Sequence, residues 1–201
     1  MIRVLIAEDQ AMVRGALKAL LAMEDDIEIV AEVDRADRVV ETANQCKPDV
    51  ALLDIEMPGG DGITTASQLR KELPSCKTLI LTTFGRPGFL RRAMEAGASG
   101  FMLKDAPAQE LALAIRKTMH GERVVDPGLA AAALSTGSSP LSDRERDVLK
   151  AGQGGASIAE IARSLFLSEG TVRNYLSAAI QKLDVGNRTE AARVAEEQGW
   201  L

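Results

Sequence analysis

The stretch Asp49-Val-Ala-Leu-Leu-Asp54 decides the fold. An apolar run closed by a carboxylate reads as a short buried strand, because a charge is tolerated only where such a strand opens to solvent. Open α/β sheets hold their ligands at the C-terminal ends of parallel strands. Other apolar runs end in the same way: Ile2 to Ala7 on the acidic pair Glu8-Asp9, Thr78-Leu-Ile-Leu on Thr82, and Ser99-Gly-Phe-Met-Leu on Lys104. Carboxylates, a hydroxyl and an ammonium are thus expected together, each at a strand end.

Outward from Asp54, strand and helix alternate to about residue 120. Strands are expected near 2–7, 27–33, 49–54, 78–83 and 99–103. Helical periods lie between them, as in Val13, Ala16, Leu17, Leu20 and Leu21, and later Leu111, Ile115 and Met119. This pattern predicts an α/β doubly wound, five-stranded parallel sheet with helices on both faces. The turn residues Met57-Pro-Gly-Gly-Asp-Gly62 follow Asp54 at once and leave the site open.

The remainder changes character. Asp126-Pro-Gly, alanines at 130–133 and Ser135-Thr-Gly-Ser-Ser-Pro140 read as a linker over 121–140 with one short helix at 128–134. After it the strand signals stop. Ser142, Ser157 and Asn187 each precede a glutamate three positions on, and Ser168 can cap a further helix, so 141–201 is expected to be an all-α unit of four helices.

Composition narrows the class. Apolar residues make up 46% of the 201, enough for ordinary cores. No apolar run approaches the roughly 20 residues of a membrane span, and Met1 leads straight into a strand, so a cytoplasmic protein without membrane insertion is expected. Cys46 and Cys76 lack metal spacing, and His120 is the sole histidine, which disfavours histidine-based metal or triad chemistry. The net charge of −5 divides almost evenly between the two halves, so neither announces nucleic-acid binding by composition.

Clustered carboxylates repel unless a cation lies among them, and hard oxygen donors suit Mg²⁺. Asp54 could then act as a nucleophile toward a phosphoryl group, with Lys104 and Thr82 receiving its oxygens. In this order, Glu8-Asp9, Asp54, Met57-Pro58, Thr82 and Leu103-Lys104 resemble the receiver domain of bacterial two-component response regulators over residues 1–120, a CheY- and flavodoxin-like fold. The resemblance implies that a sensor histidine kinase phosphorylates Asp54. It further implies that Asp9, Asp54 and the backbone carbonyl of Glu56 bind Mg²⁺, that Glu8 supports the ion through water, and that Thr82, Lys104 and Phe101 bind the phosphoryl group and switch. Phe101 stands where many receivers have tyrosine, and Asp105 where many have proline.

The second half is similar to the helix-turn-helix module of the NarL/LuxR (FixJ) family. The motifs are Leu141-Ser-Asp-Arg-Glu-Arg-Asp-Val-Leu149, Ile158-Ala-Glu-Ile-Ala162, Leu167-Ser-Glu-Gly-Thr-Val-Arg173 and Lys182-Leu-Asp-Val-Gly-Asn-Arg-Thr-Glu-Ala191. Ile158, Ile161, Ala162 and Leu165 form one apolar face, and Val172, Leu176, Ala179, Ile180 and Leu183 another, as two packed helices require. Gly170, Arg173, Asn174, Ser177 and Gln181 lie opposite. Thr171, Arg173, Asn174, Ser177 and Lys182 are the candidate contacts to double-stranded promoter DNA, bound by a homodimer formed on phosphorylation. Arg173 and Asn174 suit base edges, while Lys182 suits a phosphate or is a solvated charge. The stretch Thr82-Thr-Phe-Gly-Arg-Pro-Gly-Phe89 and the end Gly199-Trp-Leu201 resemble a subgroup that includes the desaturase-controlling DesR regulators of Gram-positive bacteria. Two other readings use the same residues: a phosphohydrolase working through Asp54, which would need a substrate cap, and a docking protein that binds no DNA, which the acidic balance favours.

Overall fold

The structure is a computed structural model that describes residues 1–83, 85, 87–135 and 139–201. The stretch 82–89 singled out above therefore lies outside the described residues at Phe84 and Arg86, as does the linker at 136–138. The chain divides into two compact units, one built from Met1–Gly85 and Leu90–Ala130, the other chiefly from Ala131–Leu201.

The first unit runs β1 (Ile2–Ala7), α1 (Ala11–Leu21), β2 (Ile27–Val33), α2 (Val39–Cys46) and β3 (Val50–Asp54). It continues through β4 (Glu56–Met57), β5 (Gly60–Asp61), α3 (Gly62–Glu72), β6 (Lys77–Thr82), α4 (Pro87–Ala96), β7 (Gly100–Leu103), α5 (Ala108–Met119) and β8 (Val124–Val125), and the division at Ala130 falls within α6 (Pro127–Ser135). The main sheet has the order β2-β1-β3-β6-β7-β8, with every neighbouring pair parallel. Side chains alternate across it. Val4, Ile6, Leu52, Leu79 and Leu81 join Leu21 of α1 and Leu111 and Ile115 of α5 in one core. Leu5, Leu53 and Ile80, the intervening residues, are equally sealed from solvent. Strand order reverses at β1, whose neighbours are β2 and β3, and this reversal opens a crevice at the C-terminal ends of β1 and β3.

Two details correct the sequence expectation. The sheet has six strands rather than five, because Val124–Val125, expected as linker, pairs with β7 in the register Gly100↔Val124 and Phe101↔Val125. Two residues carry no readable period, so only the tertiary pairing reveals this strand. The turn chemistry after Asp54 is itself a tight hairpin, β4 against β5, with Gly59 at φ +84°. Gly62 then packs so closely that a Cβ there would fall 1.9 Å from the Asp54 carbonyl oxygen. The cysteines are free, and burial pushes the Cys76 thiol up to about 12.

The second unit contains α7 (Asp143–Ala151), α8 (Ile158–Ser164), α9 (Glu169–Leu183) and α10 (Arg188–Glu197), the four helices expected. Ser142 and Ser157 make full capping boxes with Glu145 and Glu160. Asn187 accepts from the Glu190 N–H, while the Glu190 carboxylate reaches back to Gly186 N instead. Val148, Leu149, Ile161, Val172, Leu176, Ala179, Ala191 and Ala195 form the core, with Ile158, Leu165, Ile180, Leu183 and Trp200 packed against it.

Candidate functional site

Glu8, Asp9 and Asp54 are each delivered by a strand that ends at the crevice. Glu8 and Asp9 follow β1, and Glu8 N donates to the Val33 carbonyl at 3.0 Å, which ties the turn to β2. Asp54 ends β3. The backbone N–H of Ile55 donates to Asp54 Oδ1 at 2.8 Å, which fixes its carboxylate. Lys104 directly follows β7, and its own N–H donates to the Thr82 carbonyl at 2.8 Å, so the ends of β6 and β7 are tied together. The Lys104 ammonium lies 2.7 Å from Glu8 Oε2 and 2.9 Å from Asp54 Oδ2. Glu8 is only 1% exposed and Asp54 5%.

Burial pushes the Glu8 carboxyl above its usual range and the Asp54 charge adds to this, against the opposing pull of Lys104. Burial also works against the Lys104 ammonium, but the hydrogen bonds and charges of Glu8 and Asp54 outweigh it and hold its pKa above the usual lysine value. The Lys104 ammonium pairs with two carboxylates of a cluster that holds three. Ligand atoms of Glu8, Asp9 and Asp54 lie within 4.8 Å of one another, and Asp9 Oδ1 is buried with no hydrogen-bond partner among the described residues. An orphaned carboxylate oxygen inside an acidic cluster forms a donor set that fits a hard divalent cation such as Mg²⁺.

Glu56, whose carbonyl was expected to complete the set, lies two residues past Asp54 in β4. Thr82 ends β6 and is buried, and Phe101, in the neighbouring strand, is wholly buried. The Lys104–Asp105 peptide is trans. Sequence reasoning missed Arg14, whose Nη1 donates to the Glu8 carbonyl at 2.5 Å and to that of Asp9 at 3.4 Å. Its only sequence signal is a basic residue on the first full turn of the helix that follows the acidic pair.

In the second unit, α8 and α9 meet through a turn in which Phe166 takes φ +55°. Ser168 caps α9, accepting from Thr171 N at 3.1 Å. Gly170, Arg173, Asn174, Ser177 and Gln181 are all exposed, and Thr171 is half-buried. Arg173 is paired with Glu169 at 2.9 Å in an exposed i,i+4 bridge. Lys182 has a partner that the sequence did not suggest: its ammonium lies 2.8 Å from Oε2 of Glu145, the buried acid of the α7 capping box. It stitches α9 to α7 rather than standing as a free charge.

The comparisons agree with this architecture. Residues 4–116 match the response regulator receiver domain, and residues 139–195 match the bacterial regulatory proteins of the luxR family. The transcriptional regulatory protein DesR of Bacillus subtilis (strain 168) is 46% identical over 201 residues, with 100% of both chains covered. The crystal structure of response regulator ChrA of a heme-sensing two-component system aligns with TM-score 0.60 and 38% identity, covering 100% of this chain and 98% of that one. RcsB from Salmonella enterica serovar Typhimurium aligns with TM-score 0.71 and 25% identity, covering 98% of each chain.

Proposed function

The chain belongs to the two-component response regulators with a LuxR-type helix-turn-helix, and on that premise we propose that a sensor histidine kinase phosphorylates Asp54 and that the phosphorylated form binds promoter DNA as a homodimer. The observation that carries this reading is the convergence of Glu8, Asp9, Asp54 and Lys104 at the crevice. We assign the receiver to 1–120, the linker to 121–140 and the DNA reader to 141–201. A transcription regulator rather than an enzyme, it uses receiver chemistry for its own modification.

In this reading Asp9, Asp54 and the Glu56 carbonyl would hold Mg²⁺, with Glu8 supporting it through water, and the bound ion would supply positive charge against the phosphoryl oxygens. Asp54 attacks phosphorus through a carboxylate oxygen, the bond to the kinase histidine breaks, and the nitrogen leaves with its electron pair. Ile55 N holds one Asp54 oxygen and so orients the carboxylate. Lys104, freed from sharing the Asp54 charge, pairs with the added phosphoryl oxygens. The Thr82 hydroxyl donates to the same group, and Phe101 turns into the space so vacated, which re-forms the surface between β6 and β7.

The reader depends on pairing. From Ser168 to Lys182 the basic side chains are Arg173 and Lys182, and both already face an acid. A monomer can neutralise few phosphates and binds weakly, whereas two linked modules add effective concentration. Thr171, Arg173, Asn174, Ser177 and Lys182 supply the contacts, with Arg173 and Asn174 toward base edges and Lys182 toward a phosphate. RcsB, a relative of matching two-domain extent, is described bound to a promoter in the presence of the phosphomimetic BeF3⁻, which supports a phosphate-dependent DNA role here. Among the described residues no helix is long and apolar enough to cross a membrane, in keeping with a cytoplasmic regulator.

The test is sedimentation and DNA retention with and without a small phosphodonor and Mg²⁺. Phosphorylation should shift the chain to dimer and raise retention of inverted-repeat DNA. Thr82→Val should still be labelled but dimerise less. Dimerisation and DNA retention indifferent to phosphate would overturn the proposal.

A further inference from the structure

We infer that Arg14 is a positioning residue for the acidic pair, an inference that rests on the Mg²⁺ reading above. The two acids occupy the short turn between β1 and α1, where the Gln10 backbone N–H donates to Glu8 Oε1 at 3.3 Å. Gln10, at the N-cap, makes no side-chain capping bond, and the first turn of α1 carries no acidic residue. On one side the turn is anchored by Glu8 N on the Val33 carbonyl. On the other, Arg14 reaches back from α1 to the carbonyls of Glu8 and Asp9.

The same guanidinium extends to a third point. Its Nε lies 3.9 Å from Glu32 Oε2 on β2, and Glu32 also pairs with Lys18 at 2.5 Å. Arg14 is largely covered, with 21% of its side chain exposed, so this bridge is shielded more than an ordinary surface pair. Nη1 alone meets both carbonyls, while Nε of the same rigid plane faces the Glu32 carboxylate, a spread of directions that the single nitrogen of a lysine ammonium does not reproduce.

The consequence falls on the metal ligands. Fixing the carbonyls of Glu8 and Asp9 fixes their peptide planes, and hence the direction in which each carboxylate leaves the backbone. Asp9 Oδ1 is held buried and unpartnered, poised for a cation, only if that turn does not relax. The positive charge of Arg14 opposes a nearby cation, and Glu32 offsets it, so geometry is what the residue contributes.

Isothermal titration of the unphosphorylated full chain with Mg²⁺ alone tests this on the parent, Arg14→Lys and Arg14→Ala. Supporting groups around metal ligands typically matter by an order of magnitude, so Kd should rise roughly tenfold in Arg14→Ala and about threefold in Arg14→Lys. Labelling by a small phosphodonor should return to nearly the parental rate once Mg²⁺ saturates. If Arg14→Ala fails to fold, Arg14→Lys decides, since it keeps the charge and loses the fork. An Arg14→Lys chain that binds Mg²⁺ as the parent does would overturn the inference, as would labelling reduced alike at every Mg²⁺ concentration. A parent that takes up no Mg²⁺ would remove the metal assignment and this inference together.

Discussion

The crevice of the first unit and the exposed stripe of α9 use similar charged side chains under opposite conditions. At the crevice, Lys104 and its two partners are almost wholly withdrawn from water, at 8%, 1% and 6% side-chain exposure. On α9, Arg173 and Glu169 are half exposed at 57% and 50%. A buried charge without its partner is costly, while an exposed pair contributes a fraction of a kcal/mol and dissolves in salt. The first site is therefore organised before its ligand arrives. The second is a solvated surface whose contacts must be completed by the partner.

If that contrast is right, substitutions at the crevice act in steps and those on α9 by degrees. The largest expected effect is Asp54→Asn, which keeps shape and removes the nucleophile. A small phosphodonor with Mg²⁺ should label the parent and leave the variant unlabelled, as read by intact mass. Equal labelling of both would move the phosphoacceptor elsewhere.

Lys104→Met comes next. It leaves the Glu8 and Asp54 carboxylates facing each other without an ammonium, and breaking such a buried pair costs about 3–5 kcal/mol. The variant should unfold at lower denaturant without Mg²⁺ and recover part of the loss when Mg²⁺ is added, because the cation replaces the missing charge. A destabilisation indifferent to Mg²⁺ would break the link between the ion pair and the metal site.

These crevice residues were legible in the sequence because each one interrupts an apolar run, and burial makes such an interruption informative. The five longer strands were legible for the same reason. The two-residue β8 was not, since it has no period of its own and exists only by pairing with β7. Arg14 and the Glu145 partner of Lys182 were not legible because the contacts are to backbone carbonyls six and five residues back in one case and to an acid 37 residues away in the other. Spacing along a helix face says that both can reach solvent. It says nothing of a tertiary acceptor within reach.

On α9, Arg173→Ala should cost roughly 1–3 kcal/mol per half-site and relax preference at one base pair, if the guanidinium makes a bidentate base contact. Binding to a set of single-base operator variants at fixed salt checks this. Uniform weakening on every variant would make Arg173 a phosphate contact, and the stripe would then position the helix rather than read sequence.

The smallest effect sharpens the comparison from within the second unit, where Glu145 is the one buried acid among the described residues. Burial alone would raise its pKa, but the hydrogen bond from Lys182, with those from Ser142, holds the carboxyl below its usual value of 4.5. A carboxyl lowered in the folded state stabilises the fold above its unfolded pKa, and that contribution is lost as pH falls through the lower folded value. Glu145→Gln should therefore melt below the parent at neutral pH, by about 1 kcal/mol for a weakened cap, and the gap should close as pH drops below 4.5. Trp200, the only tryptophan, packs against this core and reports its unfolding separately from the sheet. Lys182→Ala should reproduce part of the gap and leave operator preference untouched. If instead Lys182→Ala leaves the Trp200 melt unchanged at neutral pH and weakens DNA binding on all sequences alike, Lys182 contacts phosphate, and its bridge to Glu145 contributes nothing to the fold.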